Sequence, residues 1–409
     1  MTRRVASLIF LDLYWKFIAL ALLLAISFSS ILIRFRYNTG IFLGIAFAFM
    51  LLFLSPSRRR ISSWTINYSC FLLILFTIHQ ALFTYYFGDY NQTIFHHLLG
   101  SLLGTFSIMI VWKEHSASRL SQLGPFFIVV STCYIVAEFA WFNTFNTTTT
   151  WFYSPWGEQH VSTYMDRSAG FLFRYWGIYG SHPGNSSIVL GTIGSVLDSR
   201  RKSIRNRLIS LVPCVLSFSG QGMAMCIILL LSILRDTGKY RIQTKSTRVF
   251  SWVILAVTIV VFLFSFTPAI TAKISFQYLD FLISFKKDQI LSLVQEWNND
   301  LFKFILGIPE LEIFKILIKS PNFASSDWGL AYRFGFSGLI GIIAMFVEMS
   351  VIAVLIKRIS KGISIEHILM LLLFLTHYSP LNVISSQATL IFILGIEYAI
   401  VRDQNNEAK

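Results

Sequence analysis

The sequence predicts an all-α, polytopic integral membrane protein with about twelve transmembrane helices and two large external loops. Three observations predict it. Hydrophobic residues make up 55% of the 409 and charged residues only 13%, and the mean hydropathy is positive, which is more apolar surface than a soluble chain of this size buries. Many apolar runs approach or exceed the roughly 17–25 residues that cross a hydrocarbon core of about 30 Å as a helix, and short polar segments separate them. The strict alternation over about 10 residues that a membrane β-barrel strand requires is absent from the sequence.

In chain order, residues 1–142 carry five spans, near 16–33, 40–54, 64–86, 93–112 and 122–142. Residues 143–183 form a first large external loop. Residues 184–266 carry four spans, near 184–198, 206–218, 222–234 and 249–266, and the pair between 206 and 234 is short enough to be half-helices meeting inside the membrane. Residues 267–327 form the second large loop, and 328–409 carry the last three spans, near 328–356, 366–378 and 383–400, with a tail. The opening "MTRRVASLIFLDLYWK" leads into a first span that is too long for a removable signal peptide and lacks its small-residue cleavage site, which predicts an uncleaved anchor.

Basic residues set the orientation, because Lys and Arg near span ends stay on the cytoplasmic side. With both termini inside, the cytoplasmic segments hold 23 of the 34 Lys and Arg; six of the other 11 lie in the long loop 267–327, where the rule weakens. The net charge of +14 is therefore mainly an orientation signal and does not indicate nucleic-acid binding.

Function is expected in the two long loops, since every other connection is short. The first opens with "FNTFNTTTTWFYSPWGEQHVSTYMDRSAG", whose aromatics and hydroxyls suit an interfacial belt or a surface that stacks on sugar rings. The second carries Lys286, Lys287, Asp288, Glu296, Asp300 and Lys303 beside apolar positions at helical spacing, which describes amphipathic helices along the outer membrane face. Phosphate loops, GxGxxG after a strand, GxSxG and HExxH are missing, and the close acid pair Glu310 and Glu312 reads as a solvated helix start rather than a ligand pair, so no metal or cofactor is implied. Cys70, Cys133, Cys214 and Cys226 fall in apolar spans and are expected as small buried hydrophobes.

The candidate site begins with "RYWGIYGSHPGNSS", residues 174–187, at the outer end of the sixth span. A cation at membrane depth costs free energy unless something compensates it. Arg174 either snorkels to lipid headgroups or addresses the diphosphate of a lipid-linked donor, whose oxygens match a planar guanidinium. Gly177, Gly180 and Gly184 allow close backbone approach, and Pro183 suits a helix start. Arg333 lies within an apolar helix, where a charge is a functional hypothesis by default; a partner such as Asp327 or Glu348 would make it structural. Asp327 also suits a helix cap, His182 a turn before Pro183, and His377 an interface anchor.

Four segments together resemble the O-antigen polymerase family of bacterial surface polysaccharide polymerases, distantly related to the O-antigen ligases. "RYWGIYGSHPGNSS" resembles the family's Arg, Gly, Pro and Asn segment entering a span. "LSFSGQGMAMCIILLLSIL" resembles its Ser/Gly-rich break within paired short helices. "FKFILGIPE" resembles a Leu-Gly-Ile element late in the second loop, and "SSDWGLAYRFGFSGLIGI" the entry into the following span. Three departures shift the reading from ligase towards polymerase and leave the base unsettled. No histidine stands where "SSDW" occurs, and Gln221 replaces the usual Arg of the break, while Lys286 or Lys287 stands for the Arg expected early in the second loop.

The resemblance implies a GT-C-like fold with both large loops periplasmic in the bacterial inner membrane. It also implies joining of undecaprenyl-diphosphate-linked oligosaccharide repeat units, with no cofactor. Membrane lipids, a flippase and a chain-length regulator are the implied partners. Arg174, Arg333, Lys286, Lys287 and, behind them, Arg167 would stabilise the leaving diphosphate, and Asp327 or His182 would accept the acceptor hydroxyl's proton. Gly180, Asn185 and His377 would line the diphosphate or glycan site. Ligation of finished glycan to a lipid core is the nearest enzymatic alternative. A flippase or transporter is the alternative outside enzymes, weakened by the single broken helix pair where transporters usually show matched ones.

Overall fold

The computed structural model describes residues 63–89, 122–145, 183–217, 219–237, 291, 294–309, 312, 329–376 and 383–407, and helix is the only regular structure among them. The expected spans near 16–33, 40–54, 93–112 and 249–266 lie outside the described residues.

The first helix, α1 (Ser63–Phe87), shows what environment the chain is built for. Tyr68, Leu72, Phe76 and Phe83 recur at helical spacing and are buried, yet the opposite face carries Ile74 at 59% exposure and Ile78 at 53%, with Phe71 and Leu82 also exposed. A helix in water turns a polar face outwards, and this one is apolar all round, as a lipid-facing helix must be. Among the described residues three helical stretches are long and apolar enough to cross a membrane, Asn67–Phe87, Leu123–Trp141 and Ser337–Ile359. Cys70 and Cys133 sit on exposed faces of two of them, contrary to the expectation of burial, which Cys214 and Cys226 do satisfy. A helix embedded in lipid can leave a small apolar side chain on its outer face without cost.

α2 (Leu123–Phe145) and α3 (Pro183–Arg201) follow. Pro183 opens α3 at the position where a missing N–H is harmless, and residues 184–198 are buried throughout, so α3 forms the centre of the described bundle. Its neighbours are α2, α4 (Arg205–Leu216), α5 (Gly220–Thr237), α7 (Gly329–Ile359), α8 (Ile365–Thr376) and α9 (Val383–Glu407), while α6 (Leu301–Leu306) packs on α7 and α1. Close approach of α4 needs a glycine at one point, since a Cβ on Gly194 would lie 3.0 Å from Asn206 O and 2.6 Å from Ser210 Oγ. The main core joins Ile188, Ile193 and Val196 of α3 to Met345 and Ile352 of α7 and to the buried run Leu390–Ile396 of α9.

α4 has 12 residues and α5 has 18, with Ser217 and Ser219 in the turn between them. At 1.5 Å per residue α4 is only about 18 Å long, so its turn stops short of a full crossing. The turn closes on its own hydroxyls. Ser217 Oγ donates to Cys214 O at 2.8 Å, Ser219 Oγ donates to Ser217 Oγ at 3.1 Å, and Ser219 Oγ accepts from Gly222 N at 3.0 Å as the cap of α5.

Candidate functional site

The helix ends divide into two groups. At one end α3, α4, α5, α8 and α9 meet in a network of ion pairs; at the other the α4–α5 turn, the start of α3, and the contact between α6, α7 and α1 are found.

The second end is assembled around a break in α7. Gly338 has φ 59° and ψ −161°, outside the helical region, and this interrupts the backbone ladder around it. Gly335 O accepts instead from Ile308 N, at 2.7 Å, in the segment that leaves α6. A Cβ at Gly338 would collide with Gly307 N and lie 2.5 Å from Ile305 O, so only glycine allows the two backbones to meet. α6 itself is capped at both ends: Asp300 Oδ1 accepts from Phe302 N at 2.8 Å, and Gly307, at φ 94°, returns its N–H to Lys303 O at 2.9 Å. The carbonyl of Leu306 lies 2.7 Å from His79 Nε2 of α1, 227 positions away in sequence. Pro309, which has no N–H to satisfy, follows Ile308.

Lys303 fixes the near side of α6. Its ammonium reaches Glu312 at 2.5 Å and Glu296 at 3.1 Å, and the Phe302 ring stacks on Tyr86 of α1 with centroids 3.7 Å apart. Burial alone would lower the lysine, but the bonds to Glu312 and Glu296 outweigh it and hold the ammonium above its ordinary range. Glu312, expected as a solvated helix start, is helical and 38% exposed, and also pairs with Lys303.

At the opposite end the basic residues are not all solvated. Arg207 is 0% exposed and donates to Asp236 Oδ2 at 2.6 Å, Ser232 Oγ at 2.6 Å and Ser199 Oγ at 3.1 Å. Arg235 bonds both Asp236, at 2.9 Å, and Glu366, at 2.9 Å. Asp198 accepts from Asn206 Nδ2 at 2.8 Å and from Arg207 N at 2.9 Å, which caps α4. Arg200 pairs with Glu397 of α9. Burial pushes the Asp236 carboxyl up, yet Arg235 and Arg207 outweigh it and bring it below its ordinary value. Among the described residues no cluster of three His, Cys, Asp or Glu is arranged to hold a metal ion.

Of the residues expected from sequence to form the site, Asn185 is described: it is buried in the first turn of α3, beside the buried Ser186 and Ser187. The Ser187 hydroxyl donates to Pro213 O, 3.2 Å away, and so ties the start of α3 to the upper part of α4. Arg333 lies on α7, two residues before Gly335. Glu348, fifteen residues further along α7 and beyond the break at Gly338, is buried. Arg167, Arg174, Gly180, His182, Lys286, Lys287, Asp327 and His377 lie outside the described residues.

The sequence reading missed His79 and the burial of Arg207. A histidine within the mainly apolar run 71–83 was the available signal for the first. For the second it was Asp198, Asp236 and Glu366, acids placed at the same helix ends as the arginines.

Compared with models of known protein families and with curated proteins, the chain matches none of either.

Proposed function

We propose that the protein is an O-antigen-type polymerase, a twelve-span enzyme of the bacterial inner membrane with both termini cytoplasmic, which joins undecaprenyl-diphosphate-linked repeat units at the periplasmic face. The observation that carries this reading is the contact between Leu306–Ile308 and Gly335–Gly338. These are two of the four segments on which the family resemblance rests, and they pack against each other although they come from a large loop and a separate helix. A third, the Ser/Gly break, forms a short-helix turn at the same end of the bundle as the start of α3.

In the proposed reaction the terminal sugar hydroxyl of one lipid-linked unit attacks the anomeric carbon of the glycan on a second. The new C–O bond forms as the bond to the diphosphate breaks, and the diphosphate takes the electron pair. Arg174 and Arg333 stabilise that developing charge, with Lys286, Lys287 and Arg167 contributing to the cationic field. Asp327 or His182 takes the hydroxyl proton. Gly180, Asn185 and His377 line the diphosphate or glycan site in this reading. A preformed positive pocket suits this chemistry because it needs no rearrangement as charge moves onto the phosphate oxygens.

Deletion of the gene in its native cell tests the reading. Polymerase function predicts loss of the polysaccharide ladder, with a single repeat unit still attached to lipid core. Loss of every attached repeat, with polymer kept on its carrier, identifies a ligase instead. Arg174→Ala is expected to reproduce the deletion phenotype at unchanged membrane abundance, and a normal ladder from that variant removes Arg174 from the mechanism.

A further inference from the structure

His79 has no counterpart in the reaction above, yet it is a fully buried polar side chain in an apolar helix. It lies eight residues from the end of α1 at Phe87, about 12 Å along the axis. Its Nε2 lies 2.7 Å from the carbonyl of Leu306 on α6, and the backbone of Ser337 on α7 is a second hydrogen-bonding neighbour of the ring. That carbonyl is the last of α6 and has no intrahelical partner.

The surrounding backbone poses the same problem. Residues 307 and 308 are non-helical and buried beside α1 and α7, at a depth where water is excluded if α1 and α7 span the membrane. Irregular backbone is tolerated there only when protein groups satisfy it. The donors of the segment and the last carbonyl of α6 find partners: Gly307 N goes to Lys303 O, Ile308 N to Gly335 O, and Leu306 O to His79, while Pro309 has no donor. Three elements distant in sequence are thereby fastened at one point, and α7 is fastened there two residues from Arg333.

We infer that His79 is a positioning residue for the proposed glycan-joining reaction: by bonding Leu306 O it holds the 306–309 segment in the break of α7 and so fixes the outer part of α7 that carries Arg333. The inference rests on the function proposed above. It predicts that a neutral side chain able to donate at similar reach replaces histidine, because the role requires an N–H and not a charge or a base.

The test uses full-length protein with Ile308→Cys in a background where the exposed Cys70 and Cys133 are alanine. Ile308 is 1% exposed, so a maleimide should label this cysteine slowly in detergent solution. His79→Ala is expected to raise the labelling rate roughly ten- to a hundredfold, as loss of a buried hydrogen bond implies, and His79→Gln to restore slow labelling. Repeat-unit joining, read in cells from the polysaccharide ladder at equal membrane abundance, should fall with His79→Ala and recover with His79→Gln. If His79→Ala fails to accumulate, Gly338→Ala opens the same contact from the α7 side and should give both effects. Unchanged labelling in His79→Ala, or in Gly338→Ala where it replaces it, would overturn the fastening, and faster labelling with a normal ladder would overturn the positioning role. A gene deletion that leaves the ladder intact would instead remove the reaction itself; labelling is independent of activity, so the two failures are told apart.

Discussion

Arg207→Met is the substitution whose consequence follows most directly from the geometry. The guanidinium is wholly buried and its loss leaves Asp236, also buried, without a 2.6 Å partner, and strands the hydroxyls of Ser232 and Ser199. Removing one member of a buried ion pair costs about 3–5 kcal/mol because the other charge is left uncompensated. Arg235 still holds Asp236 through bonds of 2.9 and 3.2 Å, which places the expected cost at the lower end, about 3 kcal/mol. For 409 residues, with an unfolding entropy of about 2.1 cal/mol/K per residue, that is a fall in Tm of roughly 3–4 °C. The assay is thermal unfolding of the purified protein in detergent, with Arg207→Met, Asp236→Leu and the double variant compared. Since the double variant removes both charges together, it should lose less than the two single losses added. A Tm for Arg207→Met equal to wild type, or strictly additive losses, would refute the claim that this pair clamps α4 to α5.

Arg333→Ala should lower glycan joining by about a hundredfold, the loss expected for one preorganised donor to a developing oxyanion, while Arg333→Lys should recover only part because lysine lacks the planar fork; ladder intensity measures both. Ser219→Ala removes the cap of α5 and should cost about 1 kcal/mol, read as a small drop in Tm without loss of folding. The lowered Asp236 carboxyl gives a pH dependence of definite sign. Its stabilisation is fully present above the ordinary aspartate value, near 3.9, and is lost as pH falls through the lower folded value. The stability gap between wild type and Asp236→Asn should therefore be constant above about pH 5 and close as the pH drops below 4; unfolding measured across that range checks it.

The helices were legible in the sequence because long apolar runs leave few alternatives. The run near 64–86 is α1 (Ser63–Phe87), and the short runs around 206–234 are α4 and α5 with their Ser/Gly turn. Hydropathy records how apolar a segment is but not which of its faces meets protein, and so it predicted burial for Cys70 and Cys133, which are exposed. Arg207 counts in the sequence only among the 23 basic residues of the cytoplasmic segments, whereas its guanidinium is buried beside Asp236 and Glu366. The contact of His79 was illegible for a different reason: its partner is a main-chain carbonyl, which every residue has, so nothing in the sequence singles out Leu306. Gly338 was visible only as one glycine of the segment "SSDWGLAYRFGFSGLIGI". That its φ must be positive, and that Gly307 must fit against it, follows from the contact between the two segments.

The central claim, that this protein transfers a glycan from one polyprenol diphosphate to another, is tested most directly with purified protein and the source cell's own lipid-linked repeat unit in detergent. The account predicts a product with two repeat units on one carrier, together with one released undecaprenyl diphosphate for each bond made, and neither from Arg174→Ala or Arg333→Ala protein. Unchanged lipid-linked units with the wild-type protein, or equal product from the arginine variants, would contradict it.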